Sequence, residues 1–297
     1  MASYAHHVNP MDPQQFHYVV GKLRSFFNAR GFLEAPVQHR LSILAACEDP
    51  RTVASFQYSG YVWPLPQTGQ MWLEYELLTQ PRSQGFYCVT TSYRNEPRPK
   101  EGRHDKIFQM FEFELPGDFE SLQNLELELL SYLGFNREAV ALLDYEETAQ
   151  KYGTSELESE HEERIWNEVG HALLLRFPFR TSPFWNMKRD GSVARKIDVI
   201  LAGMESIGSA ERSSDPEEMR ESFHTISDGM YADTLFAQFG RERVLAELDA
   251  FLALPFFPRC GGGIGLNRLI RAMGMCNLLP EREDLSLPVR QEAVAVQ

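Results

Sequence analysis

"SYRNEPRPKEGRHDKIFQMFEFE", residues 92–114, decides how this chain is read. Arg94, Arg98, Arg103 and His104 crowd a bend rich in Pro and Gly, and from Ile107 to Glu114 apolar and polar residues then alternate. Alternation with period two is the mark of a strand with two different faces. Residues 84–94 and 106–115 therefore read as antiparallel strands joined by a basic loop. Arg94 and Glu96 stand two apart and share a side, as do His104, Phe108, Met110 and Glu112 on the second strand. Together they offer guanidinium, imidazole, an aromatic ring and carboxylates. A guanidinium forks onto phosphate oxygens, and a ring stacks on a purine. An isolated Arg–x–Glu pair is ordinarily solvated surface. The whole set points instead to a nucleoside triphosphate site built on a sheet, in a sequence without a Walker-type loop.

The charge balance narrows the ligand. The chain has 297 residues and a net charge of -13. A protein that grips a long polyanion carries a basic surface, so the acidic total argues against nucleic acid as the main partner. Cations gathered at one loop suggest a small anion such as a nucleotide. With 43% hydrophobic and 24% charged residues the composition is globular, and the length suffices for a well-filled core. No apolar run approaches the roughly 18 residues of a membrane span. The start, "MASYAHHVNPMDPQQF", lacks the apolar stretch of a secretory signal. Cys47, Cys88, Cys260 and Cys276 stand far apart with no CxxC pair, which suits a reduced, cytoplasmic setting. His6, His7, His17 and His171 have no metal-binding spacing.

Outward from the basic hairpin, residues 13–30 place Phe16, Val19, Val20, Leu23, Phe26 and Phe27 at helical spacing, with Gly31 as the stop. "FLEAPVQ" (32–38) follows as an extended segment. Residues 118–133 predict an amphipathic helix with an acidic start, and about 156–174 a second one. Residues 194–212 read strand, turn, strand; 240–253 read helix; 260–275 read as a glycine-rich strand entering a helix. Hairpins outweigh regular βαβ alternation, so the expected fold is α+β with a mostly antiparallel sheet. The tail after Pro280 is expected to be loosely attached.

The hairpin signature, "YRNE" followed by His104, Phe108 and Glu112, resembles motif 2 of the class II aminoacyl-tRNA synthetases. "GGGIGLNRL" (261–269) resembles their motif 3, and "ARGFLEAP" (29–36) their motif 1, with Pro36 in the place of the interface proline. The three stand in family order, at about 13–38, 86–115 and 258–275. "TGQMWLE" (68–74) and "LESEHEER" (157–164) are similar to asparaginyl-tRNA synthetases, and "DVILAGMESIGSAER" (198–212) to aspartyl ones. "GGGIG" is shared with the ammonia-dependent asparagine synthetase.

The resemblance implies a class II synthetase-like antiparallel sheet flanked by helices, as one catalytic domain over 1–297 without an anticodon-binding domain. It implies ATP and Mg²⁺ as cofactors and a homodimer. It implies that Arg94 and Arg268 bracket the triphosphate as catalytic groups, with Glu96, Arg103, His104 and Phe108 completing the ATP site. Asp198 and Glu205 would hold Mg²⁺. Gln70 and Arg212 would bind the amino acid, with Ser209, Gly263 and Gly265 letting it approach the backbone. Three positions depart from the family pattern: Leu73 stands where aspartyl enzymes have a lysine, Ile107 where motif 2 has an acid, and Asn267 where motif 3 has Asp. The expected activity is AMP-forming: aspartate and ATP give an aspartyl-adenylate and pyrophosphate, and a small nucleophile, most simply ammonia, takes the acyl group. tRNA is not expected as partner. The alternatives are an asparaginyl- or aspartyl-tRNA ligase core, and a silent regulatory paralogue that binds amino acid or nucleotide.

Overall fold

A computed structural model describes residues 11–37, 50–97, 99–100, 103 and 105–281. Helix α1 (Pro13–Asn28) starts where Asp12 accepts the Gln14 N–H at 2.8 Å and Pro13 fills the first turn, and it buries Val19, Val20, Leu23, Phe26 and Phe27. Strand β1 (Leu33–Glu34) follows, then a separate hairpin of β2 (Ser55–Tyr58) and β3 (Tyr61–Pro64). Helix α2 (Gln70–Thr79) leads to β4 (Phe86–Tyr93) and β5 (Ile107–Pro116), the strands of the basic hairpin. Asp118 caps α3 (Phe119–Leu133), and Gly134 ends it at φ 104°. Next come β6 (Ala141–Asp144), α4 (Tyr145–Tyr152), α5 (Ser159–Val169) and β7 (Ala172–Pro178). The helix expected over 156–174 is thus α5 alone. Gly170 breaks it at φ 84°, and the apolar run beyond is a buried strand, which periodicity cannot tell from a buried helix.

Strands β8 (Arg189–Asp190), β9 (Val193–Leu201) and β10 (Met204–Glu211) follow, the last two joined at Ala202 (φ 48°) and Gly203 (φ 78°). Two left-handed residues in a row suit the two-residue hairpin turn, whose twist matches the strands. Helices α6 (Pro216–Thr225), α7 (Met230–Phe239) and α8 (Arg241–Leu252) precede β11 (Arg259–Gly265) and α9 (Leu266–Met275).

The main sheet runs β1-β4-β5-β11-β10-β9-β7-β6, with β8 beside β9. Its centre is antiparallel; β1 joins β4, and β6 joins β7, in parallel. This mixed sheet flanked by helices is the expected α+β class. One face packs on α1, α3 and α9: Phe111 and Phe113 of β5, Ile197 and Val199 of β9, Ile207 of β10 and Ile264 of β11 share a core with Phe27, Leu122 and Leu269. Alternation sends Met110, Glu112, Gly263, Gly208 and Asp198 to the other face, where α2 packs over β4, β5 and β11 and leaves a cleft above Met110, Gly208 and Gly263. The chain beyond Glu281 lies outside the described residues.

Candidate active site

Two adjoining cavities, of ≈ 230 and ≈ 280 Å³, lie on that open face and share Arg94, Glu96, Met110, Glu205, Gly208 and Gly263 as walls. Glycine makes the floor. A side chain at Gly263 would place Cβ 2.7 Å from Cε at the movable end of Met110, so it would push that side chain aside and take up cavity space.

The outer cavity is cationic. Arg94 follows β4 and holds its guanidinium 5.2 Å from the Phe108 ring centroid. Arg268, in the first turn of α9, faces it from the other wall, and Arg103 comes from the basic loop. Arg268 donates to the Glu205 carbonyl at 2.8 Å and meets its Oε2 at 3.4 Å. Asn267 donates to Asp105 at 2.9 Å, tying α9 to the loop. Three guanidiniums and an aromatic ring around one small cavity can hold a polyphosphate and a base.

Asp198 and Glu205 reach the same floor from neighbouring strands. Asp198 pairs with Gly208. Glu205, three residues before Gly208, would point to the opposite face of a regular strand. The register instead passes from Glu205↔Ile200 to Ile207↔Val199, leaving Ser206 as an extra residue. This β-bulge turns Glu205 back onto the open face. A Cβ on Gly208 would meet Glu205 Oε1 at 3.0 Å and Asp198 Oδ1 at 3.6 Å, so both carboxylates converge over that glycine. Lys196 stands 3.3 Å from Asp198. Removal from bulk water pushes the Glu205 carboxyl up, but Arg268, Lys196, Arg94 and Arg103 outweigh it and hold the group below its usual range. Among the described residues no three His, Cys, Asp or Glu side chains gather as a metal site. Two hard carboxylate donors suit Mg²⁺, which keeps waters and phosphate oxygens as its remaining ligands.

The inner cavity ends in a buried charge network. Arg212 faces Glu114 through two contacts of 3.4 and 3.3 Å. Glu74 of α2 lies 3.7 Å from Arg212 and accepts from Arg259 at 3.0 and 2.8 Å and from Asn186 at 2.6 Å. Burial raises the Glu114 carboxyl to about 7; Arg212 opposes that rise and Glu74 adds to it. Gln70 donates to the Phe113 carbonyl at 3.0 Å and to Glu114. Glu112 accepts from Gly69 N–H at 2.8 Å, from Thr90 Oγ at 2.7 Å and from Thr68 Oγ, pinning the N-terminus of α2 to the sheet.

The structure gathers Arg94, Glu96, Arg103, Phe108, Asp198, Glu205, Gln70, Arg212, Gly263, Gly265 and Arg268 on this face. His104 lies outside the described residues. Ser209 sits in the strand as expected, but its side chain turns to the opposite face and donates to Glu126 of α3 at 2.6 Å. Only its main chain can border the cavity. Leu73 is fully buried in a core patch with Val37, Leu77 and Phe86, so the α2 residue that reaches the inner cavity is Glu74. Sequence reasoning passed over Lys196, Glu74, Glu114 and Arg259. Lys196 was legible, being two residues before Asp198 on the same strand face.

The model of the family described as tRNA synthetases class II (D, K and N) matches residues 14–279. Among solved structures, the chain is similar to asparaginyl-tRNA synthetase from Pyrococcus horikoshii complexed with asparaginyl-adenylate, with TM-score 0.69 and 19% identity over 88% of this chain and 65% of that one. It is also similar to the Entamoeba histolytica asparaginyl enzyme with asparaginyl-adenylate (TM-score 0.64, 17% identity, 88% and 63% covered). The aspartyl enzyme of that organism is a third (TM-score 0.62, 16% identity, 93% and 62% covered). The chain spans less than two thirds of the length of each. No curated protein matches its sequence. A family match over nearly the whole described chain, agreeing with an open sheet face that carries paired arginines and paired carboxylates, makes this chain a member of the class II tRNA synthetases of the aspartyl, lysyl and asparaginyl type.

Proposed function

We propose that the protein joins ATP to an amino acid of the aspartate/asparagine type and passes the acyl group to a small nucleophile, most simply ammonia. The observation that carries this reading is the meeting of three guanidiniums and two convergent carboxylates with a second, charge-lined cavity on one sheet face. The triphosphate lies between Arg94 and Arg268 with its base on Phe108, and Glu96 and Arg103 complete the ATP site. Gln70 and Arg212 hold the amino acid. A carboxylate oxygen of the amino acid attacks the α-phosphorus, the bond to pyrophosphate breaks, and pyrophosphate leaves. Arg94 and Arg268 stabilise the charge that builds on the phosphoryl oxygens, an effect preorganised before reaction. Asp198 and Glu205 would hold Mg²⁺, which supplies further neutralisation between phosphates when bound. The lone pair of ammonia then attacks the acyl carbon, AMP departs, and a proton is released. For asparagine synthesis the activated carboxylate is that of the aspartate side chain. The reading carries with it a cytoplasmic setting and a homodimer.

The chain charge of -13 favours a small neutral nucleophile over a polyanionic acceptor, whose affinity rests on phosphate neutralisation. A second reading, the core of an asparaginyl- or aspartyl-tRNA ligase, draws support from the likeness to the three solved enzymes. Amino-acid-dependent pyrophosphate exchange across twenty amino acids tests activation: one preferred amino acid is expected, and no exchange with any overturns it. Incubation with labelled aspartate, ATP and ammonium, with and without tRNA, tests the acceptor. Free labelled asparagine with AMP is expected; labelled aminoacyl-tRNA without free asparagine establishes the second reading instead.

A further inference from the structure

Helix α5 reaches the wall of the cleft through Glu162. Glu162 Oε2 accepts the backbone N–H of Glu205 at 2.6 Å, and the same oxygen meets Arg103 Nη2. One turn earlier on α5, Ser159 Oγ meets Lys100 Nζ. Two cations of the basic loop, three residues apart, thus rest on two α5 residues three apart, which share a helix face. The Arg103 and Glu162 side chains are only 11% and 19% exposed, so the pair is not a screened surface contact. Arg103 also walls the outer cavity with Arg94 and Arg268. Arg103, one of the three guanidiniums available to a polyphosphate, is therefore held by a carboxylate of α5, whereas Arg268 meets the Glu205 carboxylate inside the cavity. Burial and the nearby Glu205 push the Glu162 carboxyl up, with Arg103 opposing.

We propose that Glu162 is a surrogate anion: it parks Arg103 in the nucleotide-free protein and yields it to the terminal phosphates of ATP, while its bond to the Glu205 peptide keeps the bulge set. Glu162 is then a positioning residue that acts through Arg103 and Glu205. The proposal rests on reading the outer cavity as the nucleotide site. A triphosphate carries several negative charges against one on Glu162, so it competes for Arg103, whereas AMP has no terminal phosphates to offer. Releasing Arg103 costs binding energy, and that cost disappears when the competing charge is removed.

Equilibrium titration of ATP and of AMP, without amino acid, tests this on wild type, Glu162→Gln, Arg103→Ala and the double variant. Gln keeps a carbonyl oxygen for the Glu205 N–H and drops the charge. Glu162→Gln should bind ATP about threefold to tenfold tighter, the worth of freeing one ion pair, with AMP unchanged. The gain should vanish when Arg103→Ala and the double variant are compared. Unchanged or weaker ATP binding in a Glu162→Gln protein that melts with wild type overturns the proposal, as does an equal gain for AMP. If Glu162→Gln does not fold, Glu162→Asp, which shortens the reach and keeps the charge, should shift ATP binding in the same direction by less; no shift there also overturns it. Wild-type protein that binds neither nucleotide removes the cavity reading itself, a separate failure.

Discussion

Arg94 and Glu126 show two opposite uses of charge at the scale of one residue. Arg94 borders the open cleft, so its removal would take away the proposed phosphate partner without opening the core. Arg94→Ala should keep the wild-type melting temperature and lose about 2.7–4 kcal/mol of transition-state stabilisation, on the order of 10²–10³ in pyrophosphate exchange. Exchange within tenfold of wild type removes Arg94 from the nucleotide site. Glu126 is fully buried behind β10, where it accepts from Ser209, and its Oε2 has no hydrogen-bond partner among the described residues. Burial pushes this carboxyl up to about 8, with Ser209 opposing and Asp198 adding to the rise. In the unfolded chain an ordinary Glu ionises near 4.3. Between those values the folded protein holds the proton and the unfolded chain does not, so stability falls as pH rises, by up to about 1.4 kcal/mol per pH unit. Glu126→Gln should remove that slope and exceed wild type in stability at pH 8, measured by urea unfolding at pH 5 and pH 8. Equal slopes in the two proteins would sink the assignment of this pH dependence to Glu126.

At the scale of elements, the β10 bulge decides whether two acids become one site. Without Ser206 as the extra residue, Glu205 would face the α1, α3, α9 core instead of Asp198. Changing Asp198→Asn together with Glu205→Gln should raise the Mg²⁺ concentration needed for half-maximal exchange by about tenfold or more, since neutral amides bind a hard cation more weakly. An unchanged Mg²⁺ titration would take both residues out of the metal site. Elements with a clean period were legible in the sequence: the basic hairpin, β9–β10, β11 into α9, α1 and α3. Helix α2 was not, because Met71, Leu73, Glu74, Leu77 and Leu78 are all buried and no polar stripe marks its period. The boundary at Gly170 was missed because the apolar residues after it fit either a helix or a strand. In the site, residues that alternate on one strand were legible, and Ser209, next to the open-face Gly208, shows the same parity in reverse. The Glu74–Arg259 pair was not, since it joins residues 185 apart that only the folded sheet brings together.

The molecule as a whole carries a charge of -13, and this bears on how two copies would meet in the proposed homodimer. Strand β1 is a two-residue edge of the main sheet, where Leu33 is 55% exposed, and α1 packs beside it with its apolar side spent on the core. An exposed apolar residue on a sheet edge invites pairing unless it is covered. An isologous dimer across this edge would cover it, each copy presenting the same surface to the other. Two like-charged copies repel, so apolar contact must supply the attraction and salt must weaken the opposition. Raising ionic strength from about 0.01 to about 0.15 M shortens the screening length from roughly 30 to roughly 8 Å. The dimer should therefore tighten with added salt, opposite to an interface held by ion pairs. Light scattering at micromolar protein should give twice the chain mass of 34.1 kDa, with dissociation on dilution appearing first at low salt. Leu33→Glu should shift the population toward monomer by placing a charge of the repelling sign on the edge. A monomeric mass at every salt concentration rules the dimer out, and a dimer that loosens as salt rises rules out apolar contact as its cause.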